Sequence, residues 1–343
     1  MTADIDEKPL KVAISGIPRG FQSPKADGNW MTEAHRRQIL AVSPRIELLE
    51  IPADKVRDVD GIEVLLAEGG NRIHYPGELD RGDYERFFTP SLKWVQICSA
   101  GFSDNITGEI VDGRVTLTNA SGLHTVPIAE SVLAAMLDHA KNLRQRRLDQ
   151  GARAWRRLDN DELHGRTVLI IGLGSIGKAV ARFCKAFDMT VIGTKRRAEP
   201  IECVDAVFSV DALDEHLPAA DYIVIAAPHT PETEGLLGRS AFAAMKPTAY
   251  LINVGRGQII EESAMTAALQ SHRIAGAYLD AFTREPLEDG HVLWGMDNVF
   301  IVPHDSHSSP YIGDRMVAIF CDNLSRYAAG ERLNNICDPV RGY

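Results

Sequence analysis

The glycine-rich stretch at 172–177, Gly-Leu-Gly-Ser-Ile-Gly, constrains the fold of this chain more than any other feature. An apolar run at 167–171 precedes it, and a helical pattern from Lys178 to Phe187 follows it. In this context the glycines permit a tight turn, a close approach of the backbone to a pyrophosphate, and close helix–strand packing. The stretch therefore predicts a dinucleotide-binding turn, with a structural turn as the alternative. The residues predicted to hold the cofactor here are Gly172, Gly174, Ser175, Ile176 and Gly177.

The next predicted strand, 190–194, lacks the acidic residue that usually binds the ribose 2′-hydroxyl of NAD at its end. Thr194 is followed by three cations instead, Lys195, Arg196 and Arg197. Cations at this position suit a 2′-phosphate, so the sequence favours NADP over NAD as the cofactor. A solvated basic turn is the alternative.

Composition excludes several classes of partner. The 343 residues are 45% hydrophobic and 24% charged, which is typical of a soluble protein, and this length predicts two domains. A formal net charge of −10 argues against nucleic acid or an anionic membrane as a partner, and no apolar run reaches the length of a membrane span. The five scattered cysteines show no metal-ligand spacing. The sequence therefore predicts no metal site and a reducing, cytoplasmic compartment.

Strand-like and helix-like segments alternate along the chain, which predicts an α/β fold with parallel sheets. The predicted strands are 12–14, 46–51, 64–66, 94–97, 115–118, 167–171, 190–194, 222–226, 249–253, 276–279 and 299–302. The predicted helices are 31–41, 126–146, 175–186, 211–216, 239–245, 261–271 and 315–329. Because ligands of such sheets bind at the carboxyl ends of strands, residues just after strands are the candidates for chemistry.

Two of these candidates suit an anionic substrate. Ser99, Ala100 and Gly101 follow the strand ending at Ile97, and their small side chains leave backbone N–H groups open to a carboxylate, although a plain turn is the alternative. Arg256 lies between two glycines after the apolar strand 249–253. Its guanidinium can clamp a carboxylate through two parallel hydrogen bonds, with a surface arginine in a tight turn as the alternative.

Two further candidates suit proton transfer. Glu285 precedes Pro286 in the loop after the strand 276–279, and His304 follows the last predicted strand of this group. A histidine moves protons near neutral pH, and a nearby carboxylate orients it and favours its cationic form. Taken alone, Glu285 has an exposed loop carboxylate as its alternative, and His304 favours a satisfied structural histidine. Arginine, glutamate and histidine together after strands of one sheet favour an active site.

These stretches together resemble the D-2-hydroxyacid dehydrogenase family, whose members are D-isomer-specific and NAD(P)-dependent. The resemblance runs from about Lys93 to Asn323. The matching stretches are Leu92 to Gln96 with Ser99 to Gly101, Pro127 to Glu130, the glycine-rich stretch, Thr230 to Thr233, Ile252 to Gly257, Leu279 to Pro286, and Pro303 with His304.

The resemblance implies two Rossmann-like domains with parallel sheets. It places a substrate domain at 1–121 and 308–343, and a dinucleotide-binding domain at 122–307 inserted between these two segments. The predicted helix 126–146 carries more apolar residues than one buried face needs, so it is either buried in its own domain or shared with a neighbour. The resemblance favours a twofold homodimer.

The resemblance also implies roles for individual residues. Arg256, Glu285 and His304 would be catalytic, and Ser99, Ala100 and Gly101 would bind the substrate carboxylate together with Arg256. Asp280 would contact the nicotinamide carboxamide. Other residues that would line the cofactor are Pro228, Thr233, Val254 and Gly255.

The implied reaction is reversible hydride transfer between NAD(P)H and a 2-oxo acid. Arg256 polarises the ketone, His304 protonates the developing alkoxide, and Glu285 holds His304 in its cationic form. Asp305 and His307 depart from the small, glycine-containing run usual in the family, which leaves glyoxylate, hydroxypyruvate and other small 2-oxo acids open as substrates. A cofactor-binding redox sensor or scaffold without turnover is the alternative function.

Overall fold

The computed structural model describes residues 8–15, 31–51, 59–67, 89–100 and 108–338. The chain divides into two compact units: unit 1 comprises 1–123 and 308–343, and unit 2 comprises 124–307. Unit 2 is thus inserted between two segments of unit 1. The sequence placed the first boundary two residues earlier, after 121; the assignment of substrate and cofactor to the two units stays a prediction.

Strands and helices alternate in both units. The strands are β1 (Leu10–Ile14), β2 (Ile46–Glu50), β3 (Ile62–Ala67), β4 (Trp94–Ile97), β5 (Thr116–Thr118), β6 (Thr167–Ile171), β7 (Thr190–Thr194), β8 (Ala206–Phe208), β9 (Tyr222–Ile225), β10 (Tyr250–Asn253), β11 (Gly276–Leu279) and β12 (Val299–Ile301). The α-helices are α1 (Glu33–Leu40), α2 (Gly108–Val111), α3 (Thr125–Lys141), α4 (Leu143–Gly151), α5 (Ser175–Lys185), α6 (Leu213–His216), α7 (Arg239–Ala244), α8 (Glu262–Gln270) and α9 (Ile312–Ala328). Short 3-10 turns lie at Val210–Ala212, Leu217–Ala219, Gly257–Ile259 and Val292–Gly295.

Unit 1 is built on a parallel sheet with the strand order β2-β1-β3-β4-β5. Successive side chains of a strand point to opposite faces, and here both faces are covered: Val12 and Ala13 of β1 belong to different apolar clusters. Helix α9 packs on the Val12 face, where Phe320 stacks on the fully buried Trp94 with ring centroids 5.4 Å apart.

Unit 2 is built on a parallel sheet with the order β12-β11-β10-β9-β6-β7-β8. The chain proceeds outward from β6 through β7 and β8, and then returns to the other side of β6 at β9. This reversal is the topological switch point of a Rossmann sheet, and it is where such sheets bind dinucleotides. The glycine-rich stretch begins at this point, directly after β6.

The prediction of one helix at 126–146 was wrong. Helix α3 ends at Lys141, because Asn142 adopts the left-handed conformation with φ 52° and ψ 40°, and α4 starts at Leu143. Asparagine tolerates this conformation at a helix end better than most residues. Most apolar residues of α3 pack inside unit 2, namely Ile128, Ala129, Val132, Ala135, Met136 and Ala140.

The longest described helices, α3 and α9, have 17 residues each. None of the helices within the described ranges is long and apolar enough to span a bilayer.

Candidate active site

The glycine-rich stretch forms the turn between β6 and α5, and two of its glycines are required by the protein's own backbone. Gly172 has φ 99°, and a Cβ there would lie 2.7 Å from the backbone nitrogen of Ala227. A Cβ at Gly177 would lie 2.2 Å from the carbonyl oxygen of Gly172. A Cβ at Gly174 would meet no atom within 4 Å. The missing side chain at Gly174 therefore leaves open space at the turn.

The first turn of α5 suits an anion. Its first intrahelical hydrogen bond is donated by Lys178 N–H to the carbonyl of Gly174. The N–H groups of Ser175, Ile176 and Gly177 therefore have no carbonyl of the preceding helical turn to bond. The first turn also contains no acidic residue. Together with the space beside Gly174, this arrangement fits the pyrophosphate of a dinucleotide.

The basic loop after β7 is partly neutralised. Thr194 is buried, and its hydroxyl oxygen accepts a hydrogen bond from Gly172 N–H at 3.1 Å. Lys195 Nζ donates to Glu199 Oε1 at 2.6 Å, and this hydrogen bond lowers the pKa of Glu199. Arg196 and Arg197 are exposed. Sequence reasoning missed this ion pair, which the four-residue spacing of Lys195 and Glu199 could have indicated.

The loops after β9 and β10 lie against each other. Thr233 donates from its hydroxyl to the carbonyl of Pro228 at 2.8 Å, which closes the loop after β9. Val254 N–H donates to the carbonyl of Ile225 at 3.1 Å. A Cβ at Gly255 would lie 2.9 Å from the carbonyl oxygen of Ala227. Four residues predicted to line the cofactor thus follow adjacent strands at the same edge of the sheet as the glycine turn.

Asn253 organises the loop that carries Arg256, and sequence reasoning gave it no role. It is fully buried, and its side chain accepts from Gly255 N–H at 3.0 Å and donates to the carbonyl of Arg256 at 3.2 Å. Arg256 Nη1 donates to the carbonyl of Gly255 at 2.8 Å, while the residue remains partly exposed. A polar residue ending an otherwise apolar strand was the available signal.

Glu285 and His304, the residues predicted to transfer the proton, are in hydrogen-bond contact at this edge. His304 Nδ1 lies 2.7 Å from Glu285 Oε2, and Phe282 N–H donates to Glu285 Oε1 at 2.9 Å. Burial alone would raise the pKa of Glu285, but the hydrogen bond and charge of His304, the Phe282 N–H and the charge of Arg256 together lower it. The carboxylate is therefore an acceptor at neutral pH, so Nδ1 donates and Nε2 is directed away from Glu285.

The loop after β12 fixes the direction of His304. The residue has φ 53°, and its N–H donates to the carbonyl of Val302 at 3.0 Å. Its side chain is 25% exposed, so it is held on one side and remains accessible on another. The His307 ring lies edge-on to that of His304, with centroids 6.1 Å apart, and 5.0 Å from that of His124. Asp305 is exposed.

Asp280 is bound to the same loop. It is 3% exposed, and it accepts hydrogen bonds from both the N–H and the hydroxyl of Ser306. Sequence reasoning assigned Asp280 to the nicotinamide carboxamide and did not identify Ser306. The sequence offers no signal for this contact, because the two residues lie 26 positions apart.

The turn after β4 belongs to unit 1. The carbonyl of Ser99 accepts from Ala120 N–H at 2.8 Å, and the carbonyl of Ala100 accepts from the Asn119 side chain at 2.8 Å. Gly101 lies outside the described residues. Carboxylate binding by this turn stays a prediction.

Comparisons with known proteins identify the family of this chain. A family model described as the NAD binding domain of D-isomer specific 2-hydroxyacid dehydrogenases matches residues 133–306. The chain is 30% identical over 292 residues to a glyoxylate reductase of Thermococcus onnurineus, covering 82% of this chain and 84% of the relative. It is 34% identical over 282 residues to a glyoxylate/hydroxypyruvate reductase B of Pectobacterium carotovorum, covering 80% and 87%.

A solved structure has the same architecture. It is an NADPH-dependent glyoxylate/hydroxypyruvate reductase of Sinorhizobium meliloti in complex with NADP and sulfate. The match has a TM-score of 0.74 at 26% sequence identity, and it covers 98% of this chain and 100% of the other.

The chain therefore belongs to the D-isomer specific 2-hydroxyacid dehydrogenase family. It is an NAD(P)-dependent oxidoreductase that transfers a hydride between its cofactor and a 2-oxo or D-2-hydroxy acid. The predicted family, fold class and class of reaction are confirmed.

Proposed function

We propose that this protein reduces a small 2-oxo acid, of the glyoxylate or hydroxypyruvate type, to the corresponding 2-hydroxy acid, with NADPH preferred over NADH. The proposal is carried by the 2.7 Å contact between His304 and Glu285, on the same sheet edge as Arg256 and the glycine turn. Relatives named as glyoxylate and hydroxypyruvate reductases support this substrate class.

Arg256 binds the substrate and polarises its ketone. One guanidinium nitrogen is bonded to the neighbouring Gly255 carbonyl, which holds the side chain while its other N–H groups remain to bind an anion. An arginine acts here on charge that grows on the ketone oxygen as the reaction proceeds. This is the condition under which such a contact lowers the barrier.

His304 supplies the proton. Glu285 accepts from Nδ1 and stabilises the imidazolium, so Nε2–H is the group that protonates the developing alkoxide. When bound, the reduced nicotinamide supplies the hydride. His304 returns to its protonated state by taking a proton from solvent, to which its side chain is exposed.

The preference for NADPH rests on the loop after β7. The sequence has no acidic residue at the end of β7, where NAD sites usually bind the ribose 2′-hydroxyl, and Glu199, the first acid after β7 in the sequence, is engaged by Lys195. Both side chains of this ion pair are partly exposed, so the pair is weak. Lys195 can therefore exchange Glu199 for a phosphate at little cost.

A panel of 2-oxo acids tests the proposal. Glyoxylate, hydroxypyruvate, pyruvate and 2-oxobutyrate are each measured with NADPH and with NADH by the loss of absorbance of the reduced cofactor. We expect the highest kcat/KM with NADPH and one of the first two acids. Tight cofactor binding without turnover of any acid would contradict the proposal and support a binding module.

We further propose that the protein is a cytoplasmic homodimer. The five cysteines are free, which agrees with a reducing compartment. Near the junction of α3 and α4 lies a groove of about 480 Å³. Its apolar lining residues are Leu143, Leu148 and Phe300, and its polar ones are Asp138, Arg144, Arg146, Arg147 and Gln150. The three apolar side chains are 48%, 59% and 42% exposed, and Trp155, which follows α4, is fully exposed. A second copy that covers this surface would remove its apolar area from water.

A further inference from the structure

Ser306 holds the carboxylate of Asp280 from two sides. Its backbone N–H donates to Oδ1 at 3.1 Å, and its hydroxyl donates to Oδ2. Ser306 is 6% exposed and Asp280 is 3% exposed, so water competes little for either bond. Two donors from one residue, one on each oxygen, fix both the position and the plane of the carboxylate.

The backbone of Ser306 is itself fixed. Its carbonyl accepts from the hydroxyl of Ser131 on α3 at 3.3 Å. Two residues earlier, His304 is held by Glu285. Two carboxylates therefore bind the loop after β12 to the loop after β11: Glu285 is hydrogen-bonded to His304, and Asp280 is hydrogen-bonded to Ser306.

We infer that Ser306 is a positioning residue that orients Asp280 toward the carboxamide of the nicotinamide; this inference rests on the proposed function. A carboxylate offers about four acceptor sites, of which Ser306 occupies two, so each oxygen of Asp280 retains capacity for a second donor. The hydroxyl of Ser306 determines which way those remaining sites face. A carboxamide N–H that binds there is aligned by the same loop that carries His304.

A purely structural role for the hydroxyl makes a different prediction. If Ser306 only stabilised the loop, its removal would lower stability and weaken all cofactors by the same factor. If it acts through Asp280 on the carboxamide, its removal affects only cofactors that carry the carboxamide N–H.

A comparison of two cofactors separates these roles. The probes are NADPH and its reduced 3-acetylpyridine analogue, in which a methyl group replaces the carboxamide nitrogen; their Kd values are measured by titration calorimetry. For Ser306→Ala, we expect the Kd for NADPH to rise about tenfold. The variant loses the hydrogen bond from the Ser306 hydroxyl that aligns the Asp280 carboxylate for the carboxamide. The Kd for the analogue should stay within about twofold of wild type, because the group it lacks is the one that Asp280 binds.

Three further variants complete the test. Ser306→Thr keeps the hydroxyl and should restore the preference for NADPH over the analogue. Asp280→Asn replaces one acceptor oxygen by a donor and should remove the same preference; it also serves if Ser306→Ala fails to fold. Ser271→Ala, which removes a hydroxyl bonded to the Ala267 carbonyl at the end of α8, is the control and should change neither Kd.

The outcomes distinguish this inference from the proposed function. Equal weakening of both cofactors in Ser306→Ala, or no weakening of either, overturns the inference even if the wild type reduces 2-oxo acids. Loss of the preference in Ser306→Ala and Asp280→Asn supports the inference. If the wild type then turns over none of the 2-oxo acids, only the proposed function fails.

Discussion

His304 occupies an uncommon backbone conformation that its contacts must maintain. A left-handed φ costs a residue with a Cβ about 1–2 kcal/mol. The N–H bond to Val302 and the side-chain bond to Glu285 offset this cost and aim the ring. Backbone strain of this kind clusters at functional sites, where the surrounding contacts maintain it.

The proton donor is tested by comparing two histidines. His304→Ala should lower kcat by about two to four powers of ten, because general acid catalysis contributes that much, while the Kd for NADPH stays near wild type. His307→Ala is the matched variant, since His307 lies in the same loop with its ring centroid 6.1 Å from that of His304. If His307→Ala abolished turnover and His304→Ala retained it, the assignment would be wrong.

Glu285→Gln tests the role of the carboxylate through pH. Glu285 is ionised at neutral pH because its pKa is lowered, and its charge favours protonated His304. Reduction needs a proton on the acid, so loss of the Glu285 charge should move the alkaline limb of kcat/KM to lower pH. The profile from pH 5 to 10 measures this shift; an unchanged limb would mean that Glu285 only orients the ring.

The preference for NADPH over NADH should depend on the charge at Lys195. Lys195→Asp places a carboxylate near the ribose and should change the NADPH to NADH ratio of kcat/KM by about tenfold or more toward NADH, equivalent to about 1.4 kcal/mol. Glu199→Gln should do the opposite, because it releases Lys195 from its ion pair. Arg166→Asp, at the amino end of β6, is the charge-matched control. Equal kcat/KM for both cofactors in the wild type would contradict the proposal.

At the scale of elements, the site depends on close contact between loops of adjacent strands. The loop after β10 carries Arg256 and the loop after β11 carries Glu285. Gly257 lets them touch, because a Cβ there would lie 1.9 Å from the carbonyl carbon of Phe282. The two catalytic candidates are thus positioned by one backbone contact that has no room for a side chain.

Gly257→Ala should therefore damage both stability and catalysis. The loops must separate to admit the methyl group, which should lower the free energy of unfolding by about 1–3 kcal/mol and reduce kcat/KM. Gly290→Ala is the matched control, because a Cβ there meets no atom within 4 Å. Its effect should stay within about 0.5 kcal/mol. Thermal unfolding and the reduction assay measure both effects, and normal activity in Gly257→Ala would refute the argument.

The elements were predictable where local signals are strong. Apolar runs ended by glycine or polar residues located the strands around the glycine turn, including β6 and β7 with their observed bounds. The three-residue strand β8 escaped because Ala206–Phe208 is short and partly exposed. The break between α3 and α4 at Asn142 was not predicted, because apolar residues continue at helical spacing across it.

The site was predictable in outline, since residues after parallel strands gather at one edge. The Glu285–His304 contact follows from the family resemblance, but the roles of Asn253 and Ser306 were not predicted. Asn253 bonds within a turn whose shape the sequence does not give, and Ser306 bonds a carboxylate on another strand. The Ser306 contact depends on the register between segments 26 positions apart, which composition and periodicity do not encode.

For the molecule as a whole, the exposed apolar surface of unit 2 is the feature that supports assembly into a homodimer. Most apolar residues of α3 are buried within the unit, so this helix alone does not require a partner. Leu148 and Phe300 of the groove, together with Trp155, remain exposed. The proposed homodimer thus rests on α4 and its surroundings.

Sedimentation velocity tests the homodimer. We expect a dimer at micromolar concentration, and we expect Leu148→Glu to shift it toward monomer, because a buried charge opposes association. Val111→Glu is the control: Val111 in unit 1 is 59% exposed, as is Leu148. A monomeric wild type would overturn the proposal.

The insertion of one unit into the other sets an order of completion during synthesis. Residues 124–307 leave the ribosome as one continuous segment and can form their sheet at once. The sheet that contains β1 can bind α9 only after residues 124–307 have been synthesised. Until then Trp94 lacks its contact with Phe320 of α9. The first unit to be translated is therefore the last to be finished, and a nascent chain arrested near residue 307 lacks the helix that covers this apolar sheet face in the complete protein.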